Sequence, residues 1–305
     1  MSHRGLPILD LSLASDPNGH DVLLQQLREA LLIPASYILR TVDTGYAEET
    51  TLNEKDLREQ IDFATDLSVI WEQSGSVSSE SSESNEGRDF SKVHWHVRGP
   101  NQWPPETEIL EYHNTFQPMS YRFIHLMEEG LGECLSLKRR IKLVGYPPGH
   151  SNEPSQAVGA HKDSSGWLTF LYPVGQERGL GVLDTNSEWV AAPPVKGTFV
   201  VNFGNAFEAA TESVVKATVH RVKVLAPGPE SNRRCSIPFF QRLPLDLTIS
   251  EIRPSTPEDF RNLRQNAEHL RSCGDVSSFP DSRWDRLGES QLRKWFRSHG
   301  NVGRT

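Results

Sequence analysis

Gly159-Ala160-His161-Lys162-Asp163, followed a few residues later by Trp167-Leu168-Thr169-Phe170-Leu171-Tyr172, is the stretch whose reading decides the fold. Residues two apart on a β-strand point to the same side of a sheet, so an extended backbone would bring His161 and Asp163 to one metal. The run after them has the aromatic and bulky apolar content of a strand. His220 stands 57 residues beyond Asp163, inside a second β-rich run, Val214 to Val224. Gly179-Leu180-Gly181, Pro193-Pro194, Gly197 and Gly204-Asn205 mark turns between the two runs. Several short strands fit there, which predicts a β-sandwich or barrel with the three residues at its mouth. A His-x-Asp pair with a distal His is the donor set of a non-haem Fe(II) centre. Two neutral imidazoles and a carboxylate hold one face of the ion and leave the opposite face open. Arg234 and Ser236 follow 14 and 16 residues after His220. On a strand they share a face, and a planar guanidinium beside a hydroxyl suits a carboxylate. Cys235 would face the other way as a small packed hydrophobe.

The 305 residues fit one large β-centred domain, 1–305, able to bury about three quarters of its unfolded surface. The formal net charge of −8 argues against a nucleic-acid surface. Three scattered cysteines make no disulfide framework. We find neither a secretory h-region nor an apolar run of membrane-spanning length, so the expectation is a cytoplasmic protein without a membrane or an obligate protein partner.

Along the chain, 1–104 reads as an N-terminal α/β region, 105–245 as a long helix and the metal-bearing β core, and 246–305 as C-terminal helices. A helix is predicted over 21–32, with Val22, Leu23, Leu27 and Leu31 near helical spacing. A strand is predicted over 37–42, and a long helical pattern over 47–73, interrupted near Thr51-Leu52-Asn53. Residues 74–87 are a Ser/Glu-rich loop, solvated or serving as a lid. A helix over 105–136 would bury Ile109, Tyr112, Phe116, Met119, Phe123, Ile124, Met127 and Leu131. Further helices are predicted over 256–272 and 288–298. His94-Trp95-His96 has no third ligand at convincing spacing and is assigned to structure or the substrate pocket. His113 and His125 are assigned to packing or surface, and Arg178 and Lys142 to surface charge unless the substrate is anionic. Trp167 belongs either to the barrel core or to a pocket wall.

The ordered motifs resemble the isopenicillin N synthase-like branch of the Fe(II)- and 2-oxoglutarate-dependent dioxygenases. The similarity runs from Leu6-Pro7-Ile8-Leu9-Asp10-Leu11 through Gly99 to Pro104, Gly145-Tyr146-Pro147-Pro148, the His161/Asp163 motif, Val201 to Asn205, Ala217 to Val222 and Arg234 to Phe240, to a C-terminal helix at Gln291 to His299. The resemblance implies a mainly β fold with flanking helices around a double-stranded β-helix, or jelly-roll, core. It implies that His161, Asp163 and His220 ligate Fe(II), that Arg234 and Ser236 hold the distal carboxylate of 2-oxoglutarate, and that Tyr146 adds a hydrogen bond. The implied cosubstrates are 2-oxoglutarate and O2, with ascorbate as a reductant. The implied reaction is oxidation of a C–H bond of a small organic molecule in specialised metabolism, by hydroxylation, desaturation or oxidative cyclisation. Some relatives take all electrons from substrate, and there the Arg and Ser hold a substrate carboxylate. A binding barrel without turnover and a protein hydroxylase are further alternatives. Two departures stand out. Val144 replaces the Asn that many members carry two residues before the Tyr of Tyr-Pro-Pro, and Arg233 neighbours Arg234 as an alternative carboxylate anchor.

Overall fold

The computed structural model describes residues 6–32, 36–40, 59–64, 108–131, 138–146, 155–163, 166–184, 186–211, 215–224, 233–248, 251, 286–289 and 292. Two sheets dominate it. The larger contains β1 (Ile8–Asp10), β2 (Ser36–Arg40), β3 (Glu59–Ala64), β4 (Lys138–Tyr146), β6 (Gly166–Val174), β9 (Thr198–Phe203) and β11 (Arg234–Arg242), in the order β1-β2-β9-β6-β11-β4-β3. The smaller has the order β5-β10-β7-β8, from β5 (Ser155–His161), β7 (Leu180–Leu183), β8 (Trp189–Ala191) and β10 (His220–Val224). All described pairings are antiparallel except β1 with β2. This is the double-stranded β-helix expected from the sequence.

Alternation along the strands of the large sheet separates two cores. Leu168 and Phe170 of β6, Phe199, Val201 and Phe203 of β9, and Ile237 and Phe239 of β11 pack in one cluster with the helices. Val144 and Tyr146 of β4 and Val200 of β9 lie on the opposite face, clustered with Ala157, Val158, Val182 and Val222 of the small sheet. The first cluster is the helix-backed side and the second fills the space between the sheets, as period-two side-chain alternation requires. Residues 234 and 236 therefore belong to the inter-sheet face, whereas Cys235, Ile237 and Phe239 point to the helices.

Helix α1 (His20–Leu32) covers that outer face with Leu23, Leu27 and Ala30. Val22, expected on its buried side, is instead 48% exposed. Helix α2 (Glu108–Leu131) lays Tyr112, Phe116, Phe123, Ile124 and Met127 on the sheet, as its apolar spacing predicts. Phe116 is the centre of that contact, with ring centroids 5.5 Å from Phe170, 4.7 Å from Phe199 and 4.8 Å from Phe239. His113 is buried near Phe239 and His125 is exposed, in keeping with packing and surface roles.

Three expectations change. The helical pattern over 47–73 gives way at Glu59–Ala64 to a strand, β3, paired antiparallel with β4. An available sheet edge overrides a weak local helical preference. The run Val214 to Val224 becomes a strand only from His220 onward. The segment after His161 is not extended as a strand, since β5 ends there. Residues 74–87, 94–96, 99–104 and 256–272 lie outside the described residues. Of the C-terminal helix, only its helical start at Leu287 to Glu289 and Leu292 are described. Among the described residues, no helix is long and apolar enough to cross a membrane.

Candidate metal and carboxylate site

The small sheet places the two histidines. β5 and β10 pair antiparallel with His161 directly opposite His220, and the imidazole centroids stand 4.3 Å apart. Each ring is held by the backbone two residues before it. His161 Nδ1 lies 2.8 Å from the Gly159 carbonyl, and His220 Nδ1 lies 3.1 Å from the Thr218 carbonyl. A carbonyl can only accept, so both Nδ1 atoms donate, and in the neutral imidazole it is Nε2 that presents the lone pair. This is the state in which neutral imidazole ligates a metal, oriented through its other nitrogen.

Asp163 reaches the same point from a different local structure. It is two residues beyond His161 but past the end of β5, so sheet alternation does not place it. Two hydrogen bonds do. The Asn205 backbone N–H donates to the Asp163 carbonyl at 2.8 Å, and Thr169 Oγ1 on β6 donates to Asp163 Oδ2 at 2.6 Å. Asp163 Oδ1 then lies 3.7 Å from His220 Nε2 and 4.0 Å from His161 Nε2. These separations exceed hydrogen-bond length. The three ligand atoms, all within 4.8 Å of one another, thus converge without bonding one another. Among the described residues this is the only such group of three or more His, Cys, Asp or Glu side chains. Two nitrogens and one oxygen on one face fit an Fe(II) ion that keeps open positions.

The carboxylate anchor sits at the start of β11. Arg234 is paired with Tyr146 across β11 and β4, and its guanidinium carbon lies 4.8 Å from the centroid of the Tyr146 ring. Arg234 and Ser236 are 6% and 1% exposed. Arg234 Nε and Nη1 and Ser236 Oγ are buried without a hydrogen-bond partner among the described residues. A buried guanidinium and hydroxyl left unpaired are costly, and an anionic ligand with two oxygens satisfies both. The residues present therefore fit a carboxylate. Gly179 lets the chain pass close by. It has φ +132°, and a Cβ there would clash with the Lys223 carbonyl oxygen and stand 3.8 Å from Arg234 Cδ. Arg233 takes a different place, its guanidinium against Gly145, where a Cβ would meet Nη2 at 2.5 Å. Gly145 alternates with Val144 and Tyr146, so Arg233 lies on the other face from Arg234. Val144 is buried opposite Ser236 and presents an apolar surface where many members of the resembled family carry an Asn.

Trp167 resolves toward the core. Its ring lies 4.6 Å from Phe207, and a register irregularity opposite Gly166 breaks the regular alternation from Asp163. Thr169, Asn205, Lys162 and Glu208 are the neighbours of the triad that sequence reasoning missed. Thr169 carried a signal, as the one aliphatic hydroxyl in the apolar run Trp167 to Tyr172. The contacts of Asn205 and Glu208 depend on tertiary docking of α3 (Asn205–Ala210) and left no local trace.

The 2OG-Fe(II) oxygenase superfamily model matches residues 132–243, the stretch holding β4 to β11 and every residue of the site. The 2-oxoglutarate-dependent dioxygenase frbJ of Dothideomycetidae sp. is 30% identical over 99% of this chain and 92% of its own length. A 2-oxoglutarate-dependent dioxygenase of Gibberella zeae is 33% identical over 56% of this chain and 51% of its own. In three dimensions, a full-length Neurospora crassa protein crystallised in complex with alpha-KG and 5-formyluracil superposes with a TM-score of 0.63 at 18% identity, covering 96% of this chain and 97% of that one. The chain belongs to the 2OG-Fe(II) oxygenase superfamily, in the group of 2-oxoglutarate-dependent dioxygenases. It is an oxidoreductase whose cofactor is Fe(II) and whose cosubstrate is 2-oxoglutarate.

Proposed function

We propose that His161 Nε2, Asp163 Oδ1 and His220 Nε2 hold the Fe(II), that Arg234 and Ser236 bind the distal carboxylate of 2-oxoglutarate, and that the protein oxidises a C–H bond of a small organic molecule in specialised metabolism. The observation that carries this reading is the coexistence of a converged triad with a buried guanidinium whose Nε and Nη1 have no hydrogen-bond partner among the described residues. When bound, the iron would activate O2, which supplies the oxidising equivalents; 2-oxoglutarate would give up two electrons as it loses CO2 to become succinate, and the substrate C–H bond would give up the other two.

The chain's own residues bind, orient and exclude water. The Gly159 and Thr218 carbonyls keep both Nε2 lone pairs directed at the metal. Thr169 occupies Asp163 Oδ2 and leaves Oδ1 as the oxygen facing the histidines. Arg234 neutralises the cosubstrate's charge in a dry setting and Ser236 donates to the same group. The Tyr146 ring, 4.8 Å from the guanidinium carbon, supports Arg234 on the inter-sheet face. The apolar lining of that space, from Val144, Val158, Val182 and Val222, excludes water from around the carboxylate. The N-terminal strands β1 and β2 join the same sheet through β9, which supports reading the chain as one oxygenase domain. The acidic net charge supports a reaction without a nucleic-acid partner.

The test is turnover without a known substrate. Protein supplied with Fe(II), ascorbate, O2 and 2-oxoglutarate should release succinate slowly, and His161→Ala should abolish that release. Undiminished succinate release from His161→Ala would remove the triad from the mechanism.

A further inference from the structure

We infer that Glu208 is a positioning residue, the brace that holds the two metal-binding segments in register. The inference rests on the proposed assignment of the triad. The β5–β10 ladder aligns His161 with His220 but extends neither to Lys162-Asp163 nor to the approach from Ala217 to Val219. Val219 is held by the Leu183 N–H at 2.8 Å, which leaves Lys162 and Ala217 to be supported otherwise. Glu208 Oε2 accepts a hydrogen bond from Lys162 Nζ at 2.9 Å and another from the Ala217 backbone N–H at 3.0 Å. One carboxylate oxygen thus joins the residue between two ligands to the stretch leading into the third.

The platform beneath it is fixed. Helix α3 buries Ala206, Phe207 and Ala210 in the core, and the Phe207 ring meets Trp167 edge-on at 4.6 Å and lies tilted 4.7 Å from Phe203. Its first residue, Asn205, holds the Asp163 carbonyl. Just past its end, Thr211 Oγ1 accepts from the Val215 N–H at 3.2 Å. The helix therefore contacts the Asp163 segment at its start, the chain leading to His220 just past its end, and both through Glu208.

Burial makes the pair informative. The side chains of Lys162 and Glu208 are 8% and 12% exposed. Removing two charges from water costs about as much as their attraction returns, so such a pair adds little net stability. It does impose one geometry, because any displacement of either segment strands a buried charge. A device of that kind between Asp163 and His220 fixes how far apart the ligands stand before metal arrives.

The experiment is anaerobic Fe(II) titration of the apo-protein without 2-oxoglutarate or turnover, alongside thermal unfolding of each apo variant. Glu208→Ala should bind Fe(II) about tenfold or more weakly, in the range typical for losing an outer support of a metal site. Glu208→Gln should recover part of the lost affinity, because its amide oxygen can accept the same two bonds although the Lys162 charge loses its counter-ion. A folded Glu208→Ala with affinity within about twofold of the parent would overturn the inference, as would Glu208→Gln binding as weakly as Glu208→Ala. If Glu208→Ala does not fold, the double variant Lys162→Met/Glu208→Gln carries the test, since it leaves no buried charge and removes only the cross-link to Lys162. Weakening of about fivefold or more is expected for it, and unchanged affinity would overturn the inference. A parent protein that binds no Fe(II) at all would instead overturn the assignment of the triad.

Discussion

His161 and His220 face each other across the β5–β10 ladder, ring centroids 4.3 Å apart, each with Nδ1 tied to the carbonyl two residues before it. The same local bond, used twice, turns both Nε2 atoms to one point. His161→Ala and His220→Ala should each reduce Fe(II) binding below detection in anaerobic titration while keeping the parent's circular dichroism. Loss of the fold along with the metal in both variants would make the pair structural instead.

Arg234→Ala should raise the 2-oxoglutarate KM by about 10- to 100-fold, the worth of one or two charge-assisted bonds. Ser236→Ala should raise it about fivefold, as expected for a single neutral donor. Initial-rate kinetics against 2-oxoglutarate check both. A KM unmoved in Arg234→Ala would return Arg234 to substrate binding or to packing.

Thr169 donates at 2.6 Å to the Asp163 oxygen that does not face the histidines. Thr169→Val keeps the shape but frees that oxygen to compete for the metal. Affinity of the Fe(II)-loaded protein for 2-oxoglutarate should fall about tenfold, with Fe(II) affinity less affected. Isothermal titration separates the two constants, and an unchanged 2-oxoglutarate constant would count against this role.

His20 at the start of α1 lies 2.9 Å from Glu129 on α2, and its pKa is raised from 6.5, first by that hydrogen bond and then by the Ala14 carbonyl. A raised histidine pKa stabilises the fold fully below the unfolded value and loses the effect as pH rises through the folded value. The α1–α2 contact should therefore be firmer at pH 6 than at pH 8. His20→Gln should flatten the dependence of Tm on pH in that window, and an identical slope in the variant would refute it.

Phe116 touches the rings of Phe170, Phe199 and Phe239 at the α2–sheet contact. Phe116→Ala should cost about 3–5 kcal/mol of unfolding free energy, measured in urea. A cost below about 1 kcal/mol would mean that α2 does not anchor the core.

The site was legible wherever chemistry is written in residue type and order. The sequence picked out His161, Asp163 and His220, which the structure brings together, and Arg234 and Ser236, which it buries, because ligation and carboxylate binding tolerate few substitutes. The α2 core face was legible because its period is that of a helix. What failed depended on distant partners. The strand Glu59–Ala64 exists because the edge of β4 accepts it, which no local window reveals. Asp163 reaches its position by bonds from Thr169 and Asn205, 6 and 42 residues away, rather than by strand alternation. Val22 is exposed because α1 turns Ala30 to the core instead, and helical spacing alone leaves that rotation open.

The central claim is that one converged triad and one buried guanidinium together bind Fe(II) and 2-oxoglutarate. Anaerobic addition of Fe(II) and then 2-oxoglutarate, followed by visible absorption, tests it most directly. The account predicts a weak charge-transfer band that appears only with both present and is lost in His161→Ala. Iron binding without that band at saturating 2-oxoglutarate would contradict it.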